Sequence, residues 1–307
     1  MRRLLALIAL PLLAAAPQPA PFTIAETGEG FQHLQDALMA RRGEDFTVLV
    51  APGVWRECAV QQAGRVTFKA TEPGKAILEG TCEDKAALVL RGRESVVDGL
   101  VFRNIRVHDG NGAGIRIEGG DLTVRNAMFL DSQEGILGAT DDPTHVTVDH
   151  STFSGLGQCD ESSDCAHSIY LANRGGVTVT NSRFERGRGG HYVKLRSPQV
   201  KIDDNSFDDS HGHKTNYAID LPEGATGEIL RNTFVQGADK ENWTGFIVVA
   251  AEQRKYPSAG LRIEGNVATL AAGQNNSPAF VANVSRERLA IGANRLGPGV
   301  RAYEERR

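Results

Sequence analysis

After residue 20 the sequence has no stretch long and apolar enough to cross a bilayer, which excludes a helical span from the rest of the chain. It has no excess of basic residues either. With 38 Asp and Glu against 34 Lys and Arg the net charge is −4, so the basic imbalance of a nucleic-acid binder is missing and no nucleic acid is expected as a partner. Its four cysteines include no Cys-x-x-Cys pair, which removes the redox and zinc readings that this motif would carry. Glycine and proline, 34 and 12 of 307 residues, stay below the range of low-complexity chains, and 40% apolar residues suffice for a sizeable core. These absences leave a folded protein without a helical span after residue 20 and without a basic excess, and no stable membrane insertion is expected.

What is present begins with MRRLLALIALPLLAAAPQPA (1–20). Arg2 and Arg3, an apolar run and a tail of small residues and prolines read as a secretory signal peptide. The run, residues 4–16, has 13 residues, short of the roughly 20 that span a bilayer. Cleavage takes the charge to −6 and predicts a periplasmic or secreted protein, with residues 21–307 as one domain and a monomer expected. Export lets the cysteines pair. Local pairing joins Cys159 to Cys165 across QCDESSDCAH (158–167) and Cys58 to Cys82, with the other two pairings open.

An internal repeat decides the architecture. An aliphatic residue is followed five positions later by Phe in VDGLVF (97–102), VRNAMF (124–129), VDHSTF (148–153), VTNSRF (179–184), IDDNSF (202–207) and ILRNTF (229–234), with weaker copies starting at Ile263 and Ile291. The steps between starts are 27, 24, 31, 23, 27, 34 and 28 residues, which suits solenoid coils of three short strands. A second alternating segment lies between the copies: GIRI (114–117), GILG (135–138), SIYL (168–171), YVKL (192–195), AIDL (218–221) and FIVV (246–249). These short β-branched runs bounded by turn residues are strands. Asn126, Asn181, Asp204 and Asn232 fall where the chain bends, and Asn and Asp tolerate the left-handed backbone of such bends. An amphipathic segment, GFQHLQDALMARR (30–42), predicts a short helix capping the open N-terminal end, and FTVLVAPGVWRE (46–57) predicts strand, turn and strand.

The repeats, GFQHLQDAL (30–38) and VAPGVWRE (50–57) resemble the right-handed parallel β-helix proteins of the pectin-lyase-like superfamily, over residues 22–296. The resemblance implies an all-β, right-handed parallel β-helix. It leaves function open, because that superfamily includes polysaccharide lyases, uronate epimerases, glycosidases, pectin esterases and noncatalytic members. The opening segments look most like pectin esterases, yet no later segment resembles their paired catalytic aspartates. The closely spaced carboxylates of the polygalacturonases are also absent from the strand faces.

If the Ile and Leu of each second segment point inward, alternation turns the residue between them outward. Aligned coils then form one column, Arg116, Leu137, Tyr170, Lys194, Asp220 and Val248, with members about 4.8 Å apart. Glu118, Ala172 and Arg196 follow two positions along the same face; His167, His191 and Tyr217 precede it. The insertion DDSHGHKTNY (208–217) adds His213 and Lys214 nearby, and Trp243 is placed to stack on a sugar.

Such a groove suits an acidic polysaccharide. Lyases and epimerases of uronates need a cation to neutralise the carboxylate and a base beside the sugar. Arg196 is the candidate neutraliser, Lys194 or His191 the base and Tyr170 the acid. Arg116, His167, His213, Lys214, Tyr217, Asp220 and Trp243 are candidate substrate contacts. Asp160, Glu161 and Asp164 offer oxygen ligands for calcium but match no ligand motif, so no metal or cofactor is expected, calcium being the one candidate. The expected function is β-elimination or C5 epimerisation of a uronate polymer. The alternatives are a noncatalytic glycan-binding or structural module, in which Lys194 and Asp220 form a surface ion pair, and a glycoside hydrolase pairing Asp220 with Asp208 or Asp209.

Overall fold

A computed structural model describes residues 20–138, 141–162 and 164–306. The signal-peptide reading lies, but for Ala20, outside the described residues. The strands form a parallel β-solenoid: successive coils each add one short strand to three sheets, one of twelve strands and two of ten. Among the named strands, antiparallel pairing is confined to the N-terminal end, where Phe22–Ile24 pairs with Gly30–Phe31 and with Asp45–Val50.

The repeat maps onto the turn between two sheets. Its aliphatic member lies in the twelve-stranded sheet, where Val97, Val124, Val148, Val179, Ile202 and Ile229 are mutually in register. Its Phe lies in the ten-stranded sheet that runs from Gly53–Trp55 to Arg295–Leu296. There Phe102, Phe129, Phe153, Phe184, Phe207 and Phe234 form a stack with centroids 4.7 to 5.0 Å apart. The strand spacing forces these rings into face-to-face layers, and all are buried. Past Phe234 the register continues through Ala268 and Leu296, which is why the sequence signal fades at Ile263 and Ile291. Phe246 and Phe280 fill the space beside Phe234 instead.

The bend reading holds for Asn126, Asn181 and Asp204, with φ of 53°, 50° and 56°, and is one residue out at Asn232. Arg231 takes the left-handed conformation there. Asn232 is buried in an internal ladder, Asn205 donating to Asn232, Asn232 to Asn266 and Asn266 to Asn294 at 2.9 to 3.1 Å. The helix is shorter than expected, Leu34–Ala40, because Gly30–Phe31 pairs as a strand and turn residues follow Ala40. Leu34, Ala37 and Leu38 bury against the first coil and cap it. Both disulfides are local, Cys58–Cys82 and Cys159–Cys165.

Candidate functional site

The third sheet, from Ala59–Gln61 to Arg301–Glu305, carries the chemistry. Arg116, Leu137, Tyr170, Lys194, Asp220 and Val248 are directly paired neighbours in consecutive strands. The column is not uniformly exposed. Leu137 is buried with Ala86, Val89 and Ala113, and Val248 with Ala279 and Ala282. The polar segment between these two apolar clusters forms a cleft of about 450 Å³, in which His167, Tyr170, His191, Lys194 and Arg196 meet Asp164, Cys165, Gly190, Asn216, Glu241 and Glu252.

Within the cleft Tyr170 lies beside both cations, with Lys194 Nζ 5.6 Å and the Arg196 guanidinium 5.8 Å from its ring centroid. Arg196 Nε donates to the Tyr170 hydroxyl at 2.9 Å, which leaves the phenol's own proton free to donate elsewhere. Arg196 also pairs with Glu223 at 3.0 Å and with Glu252. The other oxygen of Glu252 accepts from Lys194 at 2.9 Å. Burial opposes charge on Glu252, but the hydrogen bonds from Lys194 and Arg196 outweigh it and hold the carboxyl below its ordinary range.

Beneath Lys194 lies Asp220, whose side chain is 4% exposed, so the pair is not a surface salt bridge. Asp220 Oδ2 is 3.8 Å from Lys194 Nζ and 3.5 Å from His191 Nε2, and Oδ1 has no hydrogen-bond partner among the described residues. Burial therefore prevails over the attraction of Lys194 and pushes the Asp220 carboxyl up to about 7.

The residues leading into the strands form a second ladder, His167 5.1 Å from His191 and His191 5.4 Å from Tyr217. His167 Nδ1 accepts from the His191 amide at 3.0 Å, which places the ring proton on Nε2. Burial, then Lys194 and Arg196, push His167 down to about 3. Burial, then His167, Lys194 and Lys240, hold His191 well below its ordinary value. Both imidazoles are neutral at physiological pH. Gly190 lies between them at φ +61°, where a Cβ would come 2.2 Å from Ala166 O and 2.5 Å from His167 Nδ1. The neighbouring coil requires this glycine. The ladder continues to Glu134, which sequence reasoning missed; its Oε1 accepts the His167 amide at 3.0 Å, and burial raises its carboxyl well above the ordinary value.

Other expected contacts stand apart from the cleft. Arg116 lies beyond the apolar Leu137. Exposed His213 pairs with Asp239 at the rim, and Lys214 with Asp160 at 3.0 Å, tying the 208–217 insertion to neighbouring loops. The Tyr217 hydroxyl accepts from Asn242 at 2.7 Å; Trp243, 38% exposed, follows on that loop. Glu118 pairs with Lys85 and Arg91. Asp160 and Glu161 are held by Lys214 and Arg106, and of the three acids Asp160, Glu161 and Asp164 it is Asp164 that lines the cleft. Asp209 is no partner for Asp220: it is buried and accepts from Tyr192, Thr215 and Lys240 at 2.7 to 3.0 Å. Asp208 binds the Ser210 amide at 3.0 Å.

Residues 87–276, well over half of the chain, match the family described as the right handed beta helix region, and the chain belongs to that family. Among solved structures it is similar to the catalytic unit of a thermostable GH87 α-1,3-glucanase from Streptomyces thermodiastaticus strain HF3-3, with 13% identity and a TM-score of 0.34 over 96% of this chain and 69% of the other. It is also similar to a mutant of the PL6 family alginate lyase AlyGC, with 16% identity and a TM-score of 0.34 over 88% and 52%. No curated protein matches its sequence significantly.

Proposed function

We propose that the protein is an exported β-helix that binds a uronate-containing polysaccharide in this cleft and acts on it by β-elimination or C5 epimerisation. One observation carries the reading: two cations, Lys194 and Arg196, flank the Tyr170 ring in one cleft, with a carboxylate bridging them. The proton next to a uronate carboxylate is weakly acidic, and its removal becomes feasible when cations neutralise that carboxylate. Arg196 is the neutralising group. Lys194, after losing its own proton, is the better base, because burial suppresses the proton affinity of His191. Of the two carboxylates beside Lys194, Glu252 at 2.9 Å and Asp220 at 3.8 Å, Asp220 is the one whose proton affinity burial raises, and it takes up the proton that Lys194 must shed. Elimination then breaks the bond to the leaving oxygen as Tyr170 donates a proton to it; in epimerisation that bond stays and the carbon takes a proton from solvent water on its opposite face. Two disulfides fit an oxidising compartment.

A hydrolase pairing Asp220 with Asp208 or Asp209 has no support, because Asp208 and Asp209 bind elsewhere and Asp220 lies under Lys194. The test is Tyr170→Phe, which removes only the hydroxyl. Turnover of a uronate polymer should fall about 100-fold with binding retained. A lower melting temperature with turnover intact would make the column a structural ladder. Binding without turnover by the unmutated protein would make the cleft a glycan-binding site.

A further inference from the structure

The chain following the strand Gly245–Val249 turns at Ala250, φ 58°, and is stitched to the coil below. The amides of Ala250, Glu252, Gln253 and Tyr256 donate to the carbonyls of Leu221, Pro222, Pro222 and Glu223 at 2.8 to 3.0 Å. The Glu252 side chain, 43% exposed, leans from this fixed backbone over the cleft. One of its oxygens meets Lys194 and the other meets Arg196. The carboxylate of a bound uronate would make these same two contacts, and the two carboxylates exclude each other.

We infer that Glu252 is a specificity-determining residue: its carboxylate occupies the place of the ligand's, and only a ligand carrying a carboxylate displaces it. The inference rests on the reading of the cleft as a uronate site. A half-exposed ion pair is weak enough to exchange, whereas Lys194 and Arg196, 13% and 18% exposed, would each lose one of two acidic partners and keep only Asp220 at 3.8 Å and Glu223 at 3.0 Å. A uronate restores both pairings as it binds, when Glu252 swings out by side-chain rotation and before Lys194 passes its proton to Asp220. A neutral sugar restores neither, so the swing is unfavourable and the sugar is rejected.

The test compares the full chain with Glu252→Gln, which keeps the shape and removes the charge, and with Glu252→Asp, which keeps the charge but is too short to bridge both cations. Acetate serves as a bare carboxylate probe, followed by the nitrogen chemical shift of Arg196 Nε. Trigalacturonate, trimannuronate and neutral maltotriose are titrated by calorimetry. Acetate and at least one uronate trimer should bind Glu252→Gln tenfold or more tighter than the unmutated protein, Glu252→Asp should fall between, and maltotriose should not change. Equal or weaker acetate binding by both variants overturns the inference. Tighter acetate binding with no uronate trimer bound by any form supports the exchange and instead refutes the uronate reading.

Discussion

Asp220→Asn is the perturbation whose size follows most directly from the structure. Burial raises this carboxyl from an ordinary 3.8 to about 7. Between those values the folded protein keeps a proton that the unfolded chain has released, so stability is greatest below the lower value and falls as the pH rises through the higher one. At about 1.4 kcal/mol for each tenfold in proton affinity, the full loss is about 4 kcal/mol. Asparagine has nearly the shape of the protonated carboxyl and does not ionise. Urea unfolding near pH 4 should therefore give similar stabilities for the two proteins, while at about pH 8 the variant should be more stable by an amount approaching 4 kcal/mol. Parallel stability curves from acid to alkali, or a variant less stable at the alkaline end, would refute the reasoning. Either would mean that Lys194 pays for the Asp220 charge in full.

Arg196→Ala should abolish turnover and also lower stability by about 1 to 3 kcal/mol in urea unfolding, because it strips a partner from Glu223, Glu252 and the Tyr170 hydroxyl. Unchanged stability would show that water replaces those contacts. Lys194→Ala should also abolish turnover on uronate polymers, read in the same assay with circular dichroism as the folding control. Phe153→Ala removes the centre of the aromatic stack, between rings 4.7 and 4.8 Å away, and should cost about 3 to 5 kcal/mol of stability.

The solenoid was legible because its core repeats. A Phe every coil and an aliphatic five residues before it leave a trace wherever the stack persists, and the trace fades where Ala268 and Leu296 take its place. The column Tyr170, Lys194, Asp220 followed from the same register, since alternation fixes which residue faces out. Its burial did not follow. Whether Asp220 is wet or dry depends on loops covering the sheet, and loop paths carry no period. Glu252 was missed for the same reason: it reaches Lys194 and Arg196 from 58 and 56 residues away. The insertion 208–217 could be assigned to the neighbourhood, but only the structure places His213 and Lys214 on rim ion pairs and Asn216 in the cleft. Glu134 was overlooked because its coil lacks a histidine at the equivalent position, although it sits directly before the GILG segment (135–138).

The central claim, that this cleft acts on uronates through their acidic carbon–hydrogen bond, is tested most directly by product analysis. The full chain is incubated in heavy water with polygalacturonate, polymannuronate, polyguluronate and a neutral glucan. Ultraviolet absorbance reports unsaturated ends, reducing-end assay reports cleavage, and proton NMR reports exchange at C5. The account predicts unsaturated ends or C5 deuteration on at least one uronate polymer and neither on the glucan, with both signals lost in Lys194→Ala. New reducing ends without unsaturation or deuteration, or activity confined to the glucan, would contradict it.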